Sequence, residues 1–137
     1  MRFFVDADLL GVGMALAQLR KDVTYPGHPA AEGIVQDTTD PVWLPIVGGK
    51  GWIAITKDRH IRSRPGEILA VYQAAVRLVV ITGNRRMNSF DRMRLLLRHW
   101  DEIEDLDTLP GPWIWSLTQG GLRQMCPPWP GHIGVAP

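Results

Sequence analysis

The chain has 137 residues, 45% of them hydrophobic and 21% charged, values typical of one globular domain rather than a disordered segment. Fifteen basic residues nearly balance fourteen acidic ones, so the net charge of +1 gives no indication of a nucleic-acid partner. A single cysteine, Cys126, excludes an internal disulfide and is typical of a reducing compartment.

No segment of the sequence is suited to a membrane. The apolar start is interrupted by Asp6 and Asp8, unlike a secretory leader. No apolar run approaches the roughly 20 residues that a membrane helix needs. We therefore expect a cytoplasmic protein without a membrane partner.

The first predicted elements are a buried strand and a helix. Residues 2–5 are apolar and stop at Asp6, which predicts a strand, and apolar residues at helical spacing predict a helix over residues 8–20. Residues 22–25 favour a second strand. Prolines and glycines leave residues 26–39 without a readable pattern.

The next predicted element is a short helix followed by a strand. Asp40 followed by proline is typical of an N-cap and a first helical residue. We expect this helix over residues 41–47, ended by the glycine pair 48–49. The apolar residues 52–56 predict a buried strand that stops just before Asp58.

Helices and strands continue to alternate in the second half. An Arg-Pro-Gly-Glu segment opens a helix over residues 64–75, and the β-branched residues 76–81 predict a strand. Asn88 and Asp91 have the spacing of a capping box. They begin the longest predicted helix, whose apolar face extends to Ile103.

The C-terminal part is rich in tryptophan, proline and glycine. Residues 113–118 favour a last strand, whereas Gly120, Gly121 and the residues after them suggest a peripheral tail. We interpret the segment from about residue 110 to residue 137 as an extension of a single domain, 1–137. Its tryptophans favour packing on the body or on a partner, with a base-stacking surface as the alternative.

Helices that alternate with strands predict a parallel sheet covered by helices on both faces. The expected fold class is therefore α/β, a three-layer α/β/α sandwich with a central, mainly parallel sheet. In such sheets the ligand site lies outside the carboxyl ends of the strands.

Three aspartates are expected at that edge, because Asp6 and Asp58 end predicted strands and Asp40 begins a helix. Carboxylates held together repel one another unless a cation lies between them, and oxygen ligands favour Mg²⁺ or Mn²⁺. Such an ion activates water and stabilises charge on a phosphate. Asp40 is also explained as a helix cap. Asp8 either assists at the metal or caps the first helix, and Glu67 either stabilises its helix dipole or reaches the site.

Basic residues form two clusters in the sequence. The first cluster flanks Asp58 and consists of Lys57, Arg59, Arg62 and Arg64. It suits a phosphate backbone, with a solvated surface loop as the alternative. The second cluster accompanies the longest predicted helix and consists of Arg85, Arg86, Arg92, Arg94 and Arg98.

Five segments carry a resemblance to a known family. They read Phe-Phe-Val-Asp-Ala-Asp-Leu-Leu (3–10), Asp-Pro-Val-Trp-Leu-Pro (40–45), Trp-Ile-Ala-Ile-Thr-Lys-Asp-Arg (52–59), Arg-Pro-Gly-Glu (64–67) and Val-Val-Ile-Thr-Gly (79–83). In order and spacing they resemble PIN-like domains, and most closely the PIN-like domain of VapC-type toxins. The resemblance extends from residue 1 to about residue 100.

The resemblance implies a Mg²⁺- or Mn²⁺-dependent endoribonuclease that hydrolyses RNA phosphodiesters with a metal-activated water. Asp6, Asp40 and Asp58 match its catalytic, metal-holding acids, and Asp8 is a further candidate ligand. It also implies that the protein is the toxin of a toxin–antitoxin pair, with an antitoxin protein that blocks the site. A homodimer is left open.

The sequence departs from the family pattern at one acidic position. A typical member has a further acid a few residues beyond the position of Asp58, where this chain reads Arg-His-Ile-Arg (59–62). The position is either empty or served by Asp8 or Glu67. One-metal and two-metal chemistry therefore both remain open.

Three other functions fit parts of the sequence. A phosphatase of the haloacid dehalogenase kind would use Asp6 and Asp8, but the lysine it needs after Gly83 is absent. A receiver domain phosphorylated on Asp58 lacks its lysine in the same way. A non-catalytic PIN-like module that binds RNA or a partner would keep its function in an Asp58→Asn variant.

Overall fold

The computed structural model describes residues 1–57, 64–83 and 86–125, and it confirms the expected α/β class. Within these ranges six strands form one sheet. In chain order they are β1 (Phe3–Val5), β2 (Val23–Thr24), β3 (Ile53–Thr56), β4 (Arg77–Ile81), β5 (Trp113–Thr118) and β6 (Gly121–Gln124). Their spatial order is β2-β1-β3-β4-β5-β6, and only the last pair, β5 and β6, is antiparallel.

Helices cover both faces of this sheet, as the alternation of elements predicted. They are α1 (Leu10–Leu19), α2 (Asp40–Lys50), α3 (Pro65–Gln73), α4 (Ser89–Arg98) and α5 (Trp100–Asp105), with single 3₁₀ turns at Ala7–Leu9 and Leu106–Thr108. Phe3 and Val5 of β1 point to the core under α1, α4 and α5, whereas Phe4 points to the core under α2 and α3. Strands β1, β3 and β4 are buried on both faces for this reason, and they read as nearly continuous apolar runs.

Helix α2 is longer than expected and continues through both glycines of the pair 48–49. It ends at Gly51, whose left-handed φ of 71° suits a residue without a Cβ atom. Thr39 occupies the N-cap position, so the prediction that Asp40 is the N-cap was wrong by one residue.

The first helix is also capped differently from the prediction. Asp8 does not cap it: the N-cap of α1 is Leu9, and Asp6 caps the preceding 3₁₀ turn, where its side chain accepts a hydrogen bond from the backbone N–H of Ala7. A 3₁₀ turn, Ala7–Leu9, then precedes α1.

The second half of the chain shows two further departures. The longest predicted helix is broken at His99, which is both the C-cap of α4 and the N-cap of α5. The capping box of Asn88 and Asp91 is present as predicted. Gly121 begins strand β6 rather than a peripheral tail, because residues 121–124 pair with β5 in a hairpin.

Arginines and acids form an ion-pair network where β1 begins. Arg2 lies within ion-pair distance of Asp22, Glu104 and Asp107, and Arg20 pairs with Asp22 and Glu104. Through these ion pairs, Glu104 of α5 and Asp107 of the turn after it are joined to the start of β1. None of the helices in the described ranges is long and apolar enough to span a membrane.

The order of the strands identifies where a ligand site is expected. From β1 the chain crosses to β2 on one side, and it later returns to β3 on the other side. Helices α1 and α2 therefore lie on opposite faces, and a crevice opens between β1 and β3 at their carboxyl ends.

Candidate active site

Asp6 lies at this crevice, directly after the last residue of β1. Its backbone N–H donates to the carbonyl oxygen of Ile55 in β3 at 2.9 Å, which continues the parallel pairing by one residue. Its side chain is only 8% exposed, and its Oδ1 accepts the N–H of Ala7 at 2.6 Å. The sequence predicted this position correctly, because an apolar strand that stops at an aspartate brings that aspartate to the edge of the sheet.

Thr56, the last residue of β3, connects Asp6 to Asp8. Its hydroxyl Oγ1 lies 2.7 Å from Oδ2 of Asp8 and 3.3 Å from Oδ2 of Asp6. The backbone N–H of Lys57 also donates to Oδ2 of Asp8, at 3.2 Å. Asp8 thus hydrogen-bonds to the end of β3, and the alternative that it caps the first helix was wrong. The sequence analysis did not identify Thr56 as a site residue. The feature that could have indicated it is its position as the last residue of a predicted strand.

Asp40 is oriented from within its own helix. The indole Nε1–H of Trp43 donates to Oδ1 of Asp40 at 2.8 Å, across the i, i+3 spacing of α2. The Trp43 ring is buried and packs against Phe4 of β1, with ring centroids 5.2 Å apart. Trp43 therefore connects the core to the site, and its spacing from Asp40 was a signal that the sequence analysis overlooked.

The electrostatics of Asp6 show that the carboxylates of Asp8 and Asp40 both act on it. Burial, together with the negative charges of Asp8 and Asp40, raises the pKa of Asp6 to about 7, against the opposing hydrogen bonds from Ala7 and Thr56. An acid held in this state is stabilised either by a proton or by a cation. The expectation that Asp6 and Asp40 share one edge of the sheet is therefore confirmed.

Glu67 lies on the opposite wall of a cavity beside Asp40. The cavity has a volume of about 500 Å³ and is lined by residues of α2 and α3, including Asp40, Leu44, Glu67 and Ala70. Oε2 of Glu67 is buried and has no hydrogen-bond partner among the described residues. Oε1 lies 3.9 Å from the Arg64 guanidinium, whose side chain is 61% exposed. Glu67 thus lines the same cavity as Asp40, and its place in the first turn of α3 also fits the alternative of a favourable helix dipole.

Only part of the remaining predicted site residues can be located in the structure. Asp58, Arg59 and Arg62 lie outside the described residues, whereas Lys57 and Arg64 border the gap at either side. Within the ranges 1–57, 64–83 and 86–125, no three His, Cys, Asp or Glu side chains converge closely enough to hold one metal ion. The donor set nevertheless fits a hard divalent cation in its chemistry, because its donors are carboxylate oxygens and one of them, Asp6, is buried near the like charges of Asp8 and Asp40.

A Thr56→Val substitution tests how far the hydroxyl supports the site. We expect the free energy of unfolding at pH 8 to fall by about 1–3 kcal/mol, because the buried carboxylates of Asp6 and Asp8 lose a donor. The matched control is Thr24→Val in β2. Thr24 is equally buried, and its hydroxyl has no hydrogen-bond partner among the described residues. Urea unfolding of both variants compares the two sites, and equal losses would contradict a special role for Thr56.

Of three comparisons with known proteins, one gave a match. A family model described as a PIN like domain matches residues 1–83, which include Asp6, Asp8, Asp40 and Glu67. Comparison with curated proteins gave no match, and comparison with solved structures gave none either.

Proposed function

The chain belongs to the family of PIN-like domains, and from this premise we propose that it is a metal-dependent endoribonuclease that hydrolyses RNA phosphodiesters. The observation that carries the proposal is the state of Asp6. A buried carboxyl whose pKa is raised to about 7, partly by two other carboxylates, lowers the stability of the folded state when it is ionised. Perturbed groups of this kind cluster at functional sites. A Mg²⁺ or Mn²⁺ ion bound between β1 and β3 would compensate the charge.

The proposed ligands are Asp6, Asp8 and Asp40, together with Asp58, which follows β3 in the sequence. A divalent cation there would lower the pKa of a water molecule and neutralise developing charge on the phosphate. Thr56 and Trp43 hold the carboxylates of Asp8 and Asp40 in position by donating to them. Such supporting partners typically change metal affinity by about 10- to 100-fold when they are removed.

Glu67 is a candidate for the acidic position that the family pattern has beyond Asp58. Its buried Oε2 lies in the wall of the cavity that also contains Asp40. A carboxylate there could orient the attacking water or complete a second metal site. The proposal of catalysis thus does not depend on an acid among residues 59–62.

The RNA backbone is proposed to lie across the basic residues that flank Asp58. Lys57 and Arg64 flank the segment that contains Asp58, and Arg59 and Arg62 lie between them in the chain. Phosphate contacts of this kind position the backbone without reading its sequence. The finer proposal, a VapC-type toxin in the cytoplasm with a cognate antitoxin that covers the site, rests on the sequence resemblance alone.

The experiment that tests the proposed function is cleavage of a mixed set of structured RNAs by the purified full chain. The reactions contain Mg²⁺, Mn²⁺ or EDTA, and they compare the unaltered protein with Asp6→Asn. The matched control is Asp101→Asn, an exposed aspartate on α5. Cutting that needs the metal and Asp6, but not Asp101, supports the nuclease. Metal-independent cutting, or equal cutting by both variants, argues against it.

An Asp58→Asn variant distinguishes the nuclease from a non-catalytic module of the same fold. In the nuclease we expect this variant to lose cleavage but to retain RNA binding in EDTA. In a binding module both measurements would be unchanged, because no step depends on a metal ligand. Anisotropy of labelled RNA and a gel assay of cleavage provide the two readouts.

A further inference from the structure

A second cavity lies beyond the carboxyl ends of β4 and β5, away from the carboxylates. It has a volume of about 440 Å³, and three arginines, Arg86, Arg94 and Arg98, line it together with Gln119. Met87 and Leu95 supply apolar surface. These arginines belong to the second basic cluster of the sequence, for which the proposed catalytic mechanism has no use.

The charges in this cavity are not balanced by its own acid. Asp91 is the acidic residue that lines it, and its Oδ2 already accepts the backbone N–H of Asn88 in the capping box of α4. Arg94 and Arg98 have no carboxylate within ion-pair distance among the residues that the structure describes. The guanidinium groups of Arg94 and Arg98 beside one carboxylate leave an excess of positive charge. Arginine forks in such a cavity suit the oxygens of a phosphate group.

An exposed aromatic ring stands beside the cavity. The side chain of Phe90 is 68% exposed, and the guanidinium carbon of Arg94 lies 5.1 Å from its ring centroid. Most of the ring surface is therefore open to solvent next to a guanidinium group. Aromatic rings adjacent to cationic side chains are the elements that bind single-stranded nucleic acid, because an unpaired base can stack on the ring.

The cavity and the carboxylates share one edge of the sheet. Arg86 follows β4 and Gln119 follows β5, just as Asp6 follows β1 in the same parallel sheet. Strand β4 lies two positions from β1, which corresponds to roughly 10 Å at the usual strand spacing. One RNA strand can therefore reach both places.

We propose that the cavity of Arg86, Arg94 and Arg98 binds a phosphodiester of single-stranded RNA, with a neighbouring base stacked on Phe90. The proposal rests on the proposed function in one respect, that the same RNA extends to the catalytic carboxylates. It assigns the cavity to a substrate segment remote from the scissile bond. The substrate is then unpaired at this segment, whatever the structure of the RNA elsewhere.

The first test measures binding of a labelled single-stranded RNA of about ten nucleotides, the size of a small single-strand site, in EDTA at several salt concentrations. The test variant is Arg94→Gln with Arg98→Gln. The control, Arg92→Gln with Arg123→Gln, removes the same charge from α4 and β6 outside the cavity. We expect the test variant to bind roughly tenfold more weakly at about 0.1 M salt, with a salt slope lower by about 1.4 for two lost phosphate contacts.

The second test examines the stacked base. Phe90→Ala is compared with Leu97→Ala, which removes another exposed apolar side chain from the same helix. We expect Phe90→Ala to weaken binding at least roughly fivefold, the lower limit for loss of one stacked base, and Leu97→Ala to leave it unchanged. Thermal unfolding verifies that all four variants remain folded.

The outcomes separate this proposal from the nuclease. If the cavity variants bind RNA like their controls, or if the unaltered protein binds no single-stranded RNA, the cavity proposal is wrong. Metal-dependent cleavage lost in Asp6→Asn would still support the nuclease in that case. Conversely, a selective binding loss in the cavity variants, in a protein that never cleaves RNA, would support the cavity and contradict the nuclease.

Discussion

We expect the Asp6→Asn variant to lose metal-dependent RNA cleavage and yet to unfold at a higher temperature than the unaltered protein at pH 8 without metal. The loss of cleavage should exceed about 100-fold, because even residues that only support metal ligands typically contribute 10- to 100-fold. A residue needed mainly for folding would behave differently, since its removal lowers both the cleavage rate and the unfolding temperature.

The gain in stability follows from the direction of the pKa shift. Burial, with the charges of Asp8 and Asp40, raises the pKa of Asp6 from 3.8 to about 7 in the folded chain. Between these two values the folded state binds more protons than the unfolded state, so its stability falls as the pH rises. Below about pH 4 the protonated group contributes its full stability, and above about pH 7 that contribution is lost.

Asparagine removes the charge but keeps an oxygen that can accept the N–H of Ala7. The expected gain in the free energy of unfolding at pH 8 is on the order of 1–4 kcal/mol, and a smaller gain is expected at pH 5, where only the first part of the loss has occurred. Lower pH is avoided in the comparison, because the hydrogen bond from Arg20 lowers the pKa of Asp22, whose stabilisation is lost in acid.

The measurement is thermal unfolding followed by circular dichroism in EDTA at pH 5 and pH 8, with Asp101→Asn as the control. Added Mg²⁺ or Mn²⁺ should stabilise the unaltered protein at pH 8, by about 2.7 kcal/mol at a hundredfold excess over the dissociation constant. It should stabilise Asp6→Asn much less. An Asp6→Asn protein that is less stable at pH 8 would contradict the strained carboxylate cluster.

Gly48→Ala is expected to have the largest effect on the fold. A Cβ atom at Gly48 would lie 1.8 Å from the carbonyl oxygen of Ala74, a backbone atom at the end of α3. That contact cannot be relieved by a side-chain rotation, so α2 and α3 would have to separate. Overpacking of this kind costs about 1–3 kcal/mol or more, although alanine is the better helix former.

Gly49→Ala provides a matched control one residue further along α2. Nothing lies within 4 Å of a Cβ atom built at Gly49, so the same substitution there should stabilise the protein by about 0.5–1 kcal/mol. Urea unfolding of the two variants should therefore give changes of opposite sign. A small effect at both positions would mean that α2 packs less closely on α3 than the structure shows.

The Gly48 variant also tests how the fold positions the site. Helices α2 and α3 form the cavity that contains Asp40 and Glu67, and the close approach at Gly48 sets their separation. In the fraction of Gly48→Ala protein that stays folded, we expect weaker stabilisation by Mg²⁺ or Mn²⁺ than in Gly49→Ala. Thermal unfolding with and without metal provides this comparison.

Local patterns predicted most of the elements of this chain correctly. The apolar run before Asp6, the β-branched residues before Thr82 and the capping box of Asn88 are contained within a few neighbouring residues. Their alternation also predicted the parallel sheet, and with it the edge at which Asp6 and Asp40 meet. Each of these inferences depends on the chemistry of adjacent positions, which the sequence displays directly.

The sequence failed where a residue's role depends on a distant partner. It presented Gly48 as the end of a helix, because a glycine pair usually breaks one, whereas contact with Ala74 explains why a glycine lies within α2. It presented residues 121–124 as a tail, because nothing local reveals that β5 pairs with them.

The sequence by itself determined the α/β class, the alternation of strands and helices along the chain as far as β5, and the positions of Asp6 and Asp40 at strand and helix ends. Only the tertiary structure decided that Asp8 is directed to Thr56, that Trp43 supports Asp40, and that burial raises the pKa of Asp6. The physical reason is that hydrogen bonds across a sheet, and the exclusion of water from a carboxylate, arise from residues distant in the chain. Their separation and geometry exist only once the chain has folded.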